Sequence, residues 1–224
     1  MKGILKSRHP ARPGCAAVVL VASSLLAVAG CGAVHTVEPV GTVPVVVDPL
    51  DWNGYWTTPD NVAACGQGAD TGRPDCLVVT VVDPAQGVLA IVPEGKTVEP
   101  ARAYLRVADK PSAVFITLED WDSNAPERPL MLMRGVLQGI GPSGGRVVVW
   151  FPATNRFTEA VHAGILPLGA GPRAGPDSGP TLGVLSAAEL ELMTYTMKWE
   201  LFDWEDPTIY VRVVPPPQGR PSTR

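Results

Sequence analysis

From residue 47 onward the chain is built of short apolar runs separated by breaks rich in Pro, Gly and Asp. That rhythm predicts strands rather than helices. The runs 77–82 (LVVTVV) and 88–92 (VLAIV) flank Asp83-Pro84-Ala85-Gln86-Gly87. Pro fits the second position of a type I turn and Gly supplies the positive φ that closes it, so this pair reads as a hairpin. Residues 103–107 and 113–118 repeat the pattern around 108–112, and 130–138 with 146–151 repeat it around 139–145. Three successive hairpins imply an antiparallel meander. Further strand candidates are 54–57, 157–166 and 208–214, giving eight or nine strands in all.

One helix is signalled. Ser186 and Glu189 have capping-box spacing, Leu185 and Leu190 form a hydrophobic staple, and Leu190, Met193 and Met197 recur on one face. These place a helix over about 187–197. A long Gly/Pro-rich loop, 167–182, precedes it and reads as a lid or a floppy connection. The fold expected is mainly β: an antiparallel meander closing into a barrel, with one late α-helix and a two-sheet sandwich as the alternative.

The N-terminus follows another pattern. Lys2, Lys6, Arg8 and Arg12 precede an apolar run over 15–29, which is shorter than the ~20 residues a spanning helix needs. The run ends in Val28-Ala29-Gly30-Cys31. This resembles the lipobox of bacterial lipoproteins. The resemblance implies removal of residues 1–30 as a signal peptide and acylation of Cys31 as the new N-terminus. The protein would then be lipid-anchored in the cell envelope, with the membrane as a partner through Cys31. Gly32 after the cysteine implies delivery to the outer membrane, facing the periplasm, in a cell that has one. Residues 31–46, with two prolines and two glycines, read as an extended tether. Residues 47–214 then form a single β-rich domain, and 215–224, opening on Pro215-Pro216-Pro217, a disordered Pro-rich tail.

Charge and thiols narrow the function. The chain has 18 Lys+Arg against 22 Asp+Glu, and the leader removes four basic residues and no acid, leaving 14 against 22. Such a domain lacks the basic stripe of a nucleic-acid or polybasic lipid binder. With Cys15 removed and Cys31 acylated, Cys65 and Cys76 remain, flanking GQGADTGRPD. In an oxidising envelope they read as a disulfide. Two thiolates without a nearby His or third Cys do not complete a metal site, so neither metal nor cofactor is expected.

Catalytic signals are weak. His162 is the one histidine within 47–214, so a Ser-His-Asp device has only that base, and multi-His metal sites are ruled out within this domain. Lying between Val161 and Ala163, it reads as a strand residue. Asp120, Asp122 and Asn124 have calcium-loop spacing, but Ala125 stands where an EF-hand needs Gly and Met131 where it needs Glu. Gly141-Pro142-Ser143-Gly144-Gly145 spells a nucleophile elbow but joins two strands, so Ser143 reads as loop. Asp120, Asp122, Asp203 and Glu205 stand beside Trp121 and Trp204 in two acidic-aromatic segments. The two tryptophans read as rim packing.

Trp52-Asn53-Gly54-Tyr55-Trp56 is similar to the start of the first strand in lipocalin-type barrels. That resemblance implies a barrel binding a small apolar ligand. The leading expectation is therefore a lipid-anchored protein with a non-enzymatic binding or structural β-domain. A lipocalin-like ligand barrel and a carboxylate-dependent envelope hydrolase are the alternatives. Trp52, Trp56, Trp121 and Trp204 are the candidate binding residues for a protein or small apolar partner, and no catalytic residue is assigned.

Overall fold

A computed structural model describes residues 33–66, 76–108, 114–120, 128–170, 179–195 and 200–213. The signal segment, Cys31, Trp121, Asp122, Asn124 and the 215–224 tail lie outside the described residues. Among the described residues the elements in chain order are β1 (His35–Thr36), β2 (Val43–Pro44), α1 (Pro49–Trp52), β3 (Gly54–Thr57), β4 (Cys76–Asp83), β5 (Val88–Pro93), β6 (Ala101–Val107), β7 (Val114–Glu119), β8 (Leu130–Gly141), β9 (Gly144–Trp150), α2 (Thr154–His162), β10 (Thr181–Leu182), α3 (Ala187–Tyr195) and β11 (Thr208–Val213), with a 3-10 turn at Pro59–Asn61.

Eight of these strands close a barrel. Each of β3 to β8 pairs antiparallel with the next in chain order, and β11 pairs with both β9 and β3. The meander is therefore an up-and-down closed barrel, and the sandwich alternative is excluded. The β4–β5 turn forms as its residues dictate. Asp83 Oδ1 accepts the N–H groups of Ala85 and Gln86, both at 3.1 Å, and Gly87 takes φ +63°. Gly87 is also where the chain crosses itself, since a Cβ there would lie 2.6 Å from the Val45 oxygen and 2.7 Å from that of Leu105. In the β8–β9 hairpin the strands run further than expected, to Gly141 and from Gly144, and leave Pro142 and Ser143 as the turn.

Two layers of apolar packing result. Inside the barrel lie Trp52, Trp56, Leu77, Val79, Leu89, Ala103, Leu105, Ile116, Leu118, Met133, Val147 and Val149. Outside it, Phe115 and Leu132 turn their side chains the other way and pack with Phe157, Ala160, Leu166, Leu182, Leu190, Met193, Leu201 and Phe202. β7 is consequently buried on both faces from Val114 to Leu118. Its sequence accordingly reads as an unbroken apolar run with one Thr.

Three differences from the sequence reading have physical causes. Residues 157–166, expected as a strand, are mostly the helix α2. Phe157 and Ala160 are fully buried on one face, with Val161 packed beside them, which is helical spacing. The Ile165 N–H bonds to the Ala160 oxygen and the Gly164 N–H to that of Val161, with Gly164 at φ +68°, a Schellman stop. The single helix expected becomes three, of which only α3 was signalled. Its capping box is present: Glu189 Oε2 accepts the Ser186 N–H at 2.6 Å, and Ser186 Oγ accepts the Glu189 N–H at 3.3 Å. Finally, residues 33–46, read as a tether, are extended but held to the barrel. β1 pairs with β8 and β10, β2 pairs with β6, and Val34 and Val40 are buried.

Cys65 and Cys76 are disulfide-bonded, tying the turn after β3 to the first residue of β4. With eleven residues of separation, the bridge stabilises chiefly by restricting the unfolded chain. Cys65→Ser/Cys76→Ser is expected to lower unfolding free energy by about 3 kcal/mol. Equal urea midpoints for that variant and the oxidised protein would overturn this.

Candidate functional site

The candidate site is the inside of the barrel. Alternation along each strand sends every second side chain inward, and around the centre of this barrel that set is apolar apart from the Tyr210 phenol. A cavity of about 90 Å³ remains at the centre. Its wall takes Leu77 and Val79 from β4, Ala103 and Leu105 from β6, Ile116 and Leu118 from β7, Met133 from β8 and Val147 and Val149 from β9. Among the described residues, no carboxylate or imidazole lines it. Tyr210 is the one phenol.

Trp52 and Trp56 close one end of this space. Asp48 caps α1 through the Leu50 N–H (2.8 Å), which turns the chain so that Trp52 points into the barrel. The indole rings of Trp52 and Trp56 stack with centroids 5.3 Å apart, and Trp56 Nε1–H donates to the Trp52 carbonyl at 2.9 Å. Gly54, at φ +130°, makes the bend between α1 and β3. Arg212 then ties the closure together, donating to the Gly141 oxygen at 3.1 Å and the Asn53 oxygen at 2.9 Å. A shallow groove of about 540 Å³ lies outside this end, between residues 45–52 and Leu137 and Ile140 of β8. Trp52 belongs to both walls and separates the groove from the interior.

Sequence reasoning overlooked a buried polar group outside the barrel. His35, assigned to the tether, is 2% exposed, and its Nδ1 has no hydrogen-bond partner among the described residues. Burial holds its imidazole below the ordinary value of 6.5, and the Asp120 carboxylate opposes that shift. Asp120 is itself buried, and Thr36 and Thr117 join the set. Only the short apolar residues before His35, Ala33 and Val34, hinted that this stretch packs.

The remaining candidates are scattered. His162 is the exposed last residue of α2, not a strand residue. Ser143 sits in the β8–β9 turn, with no helix after it. Trp204 is 40% exposed and rests on Trp150 and Phe202, with ring centroids at 5.3 and 5.8 Å. Asp203 and Glu205 are exposed, while Asp120 is buried beside His35. Among the described residues, one trio of potential metal ligands comes together, Cys65, Cys76 and Glu94. The disulfide occupies both of its sulfurs, so it does not suit a metal ion.

Comparison with protein-family models, with curated proteins and with solved structures finds no match for this chain.

The burial of His35 has a consequence for pH. Its folded-state pKa lies below 6.5, so the native state binds fewer protons than the unfolded chain in that range. Its contribution is complete above pH 6.5 and is lost as pH falls from there toward the folded value. Unfolding free energies at pH 7.5, 6.5 and 5.5 are expected to drop more steeply for the natural chain than for His35→Gln. Parallel pH profiles would refute the assignment.

Proposed function

We propose that this chain is a lipid-anchored protein of the cell envelope, processed before Cys31, whose barrel is a non-enzymatic binding domain for a slender apolar group. In a cell with two membranes the anchor would hold it to the outer membrane, facing the periplasm. One observation carries the ligand reading: the cavity at the centre of the barrel presents a wholly apolar surface. Water gains no partners in such a cavity, which stays dry and takes up apolar solutes. At about 90 Å³ it is smaller than the ~150 Å³ apolar cavity that accepts benzene. It is also well below the ~300 Å³ at which drug-sized sites begin. The occupant that fits is a few methylenes of a chain rather than a ring system.

How little of the barrel is empty favours a second reading, a structural module whose interior is simply filled. Eight strands give an interior that side chains can fill or that holds one small ligand, so the fold is compatible with both. A carboxylate hydrolase receives no support. Among the described residues the barrel cavity has no acid on its wall, and Asp120 lies in a different environment from the exposed Asp203 and Glu205. The 14 basic residues left against 22 acids after Gly30 argue against a nucleic-acid partner.

Two experiments test the halves separately. Cys31→Ser is expected to leave an unprocessed precursor or a form that no longer partitions with membranes, read by mass spectrometry and fractionation. A mature, membrane-bound Cys31→Ser protein would defeat the anchor reading. For the barrel, short alkanes are expected to raise the melting temperature in proportion to occupancy. Met133→Ala should cost about 2–5 kcal/mol of stability and admit larger solutes such as benzene. If apolar solutes stabilise neither protein, the structural module is the correct reading.

A further inference from the structure

The sheet begins almost at the position of the anchor. The Ala33 carbonyl accepts the Gly179 N–H at 3.0 Å, and the antiparallel register of β1 on β8 sets Ala33 level with Met133. At the next position of β8, Arg134 is already paired with Trp150 of β9. The edge of β8 is filled there, so the pairing of the N-terminal segment with β8 ends at this point. A short series of contacts defines what surrounds Ala33. Gly179 packs on Thr154, where an added Cβ would lie 2.7 Å from Thr154 Cγ2. The Ala153 N–H bonds to the Leu201 oxygen at 2.8 Å, and the Asp203 N–H to that of Phe151 at 3.0 Å. These bonds hold the residue after Asp203 to the same flank. There Trp204 tilts against Trp150 and meets Phe202 edge-on, yet remains 40% exposed.

We propose that this flank is the membrane-facing surface of the protein, with the Trp204 indole seated in the interface of the bilayer that holds the acyl chains of Cys31. The inference rests on the lipid-anchor reading. Cys31 precedes Ala33 by two residues, a reach of at most about 7 Å, so acylation of Cys31 draws this flank against the headgroups. An indole suits that zone because one part is apolar and its N–H finds water or lipid oxygens. Trp150 and Phe202 already hold the ring in place, so little side-chain freedom is lost on seating it. Asp203, Glu205 and Asp206 are exposed on the same turn. Their carboxylates stay in water, limit insertion to the ring, and make a zwitterionic surface a better partner than an anionic one.

The test uses the full acylated protein in vesicles of phosphatidylcholine with brominated chains, which quench tryptophan emission on contact. At least half of the lipid-quenchable emission is expected to disappear in Trp204→Phe, and the quenching to weaken when anionic lipid is mixed in. Leu50→Trp, placed in the Trp204→Phe background at the far end of the barrel, is expected to add emission that lipid does not quench. Equal melting temperatures of the variants establish that the fold is intact. If mass spectrometry finds Cys31 unmodified, the anchor reading falls and this inference with it. If Cys31 is acylated but Trp204→Phe leaves quenching unchanged, or Leu50→Trp is the quenched site, this inference alone falls.

Discussion

An open antiparallel sheet exposes two rows of unpaired backbone groups, and in this protein both rows are satisfied by one strand, β11. Its six residues pair with β9 on one side and β3 on the other, so the first and seventh barrel strands become neighbours of the last. Arg212 reinforces the seam. Its guanidinium reaches carbonyls in the β8–β9 hairpin and in the turn before β3, linking three separate parts of the chain at the end that Trp52 and Trp56 plug. Without that closure the interior face would be one side of an open sheet and the cavity would be a surface. The edges would also be templates for pairing with other chains.

Closure leaves the outer faces of β7 and β8 to be covered by something else. The chain spends its later residues on this: α2, β10 and α3 lie between the seventh and eighth barrel strands and build a second apolar layer. The layer accommodates a cation. Arg134 is 4% exposed, and its guanidinium lies 4.7 Å from the centre of the Phe115 ring, a contact that strengthens when water is excluded. His35 and Asp120 share the outer layer. The barrel proper is thus apolar inside, and the buried ionisable groups are confined to its wrapping.

What was legible in the sequence was whatever is written locally. The Pro84 and Gly87 turn, the 54–57 strand and the Ser186–Glu189 box each carry their own chemistry, and each stands where it was expected. The disulfide could be read because only two thiols remained to pair. By contrast α2 has no side-chain cap, since Ala153 precedes it, and its Val161-His162-Ala163 stretch looks strand-like in isolation. Its identity comes from Phe157 and Ala160 packing on Phe202 and the outer barrel. The same holds for residues 33–46. Two prolines and two glycines suggest a free tether, whereas Val34 and Val40 find pockets that exist only once β6, β8 and β10 are in place. Tertiary context overrode local pattern at both sites.

The distribution of polar groups bears directly on what the domain can do. Acid–base or nucleophilic chemistry needs at least two reactive groups converging on one enclosed space. Here the barrel cavity carries Tyr210 as its one ionisable side chain among the described residues, and the buried ionisable groups His35, Asp120 and Arg134 lie in the outer layer. A cavity without polar partners does not activate water or orient a bond for attack. It distinguishes solutes only by shape and apolar surface, with discrimination of ~0.8 kcal/mol per methylene. The built-in segment from Ala33 onward adds a constraint on the outside: under the lipid-anchor reading no slack separates barrel from bilayer, so a solute leaving the membrane would meet the protein at a fixed face.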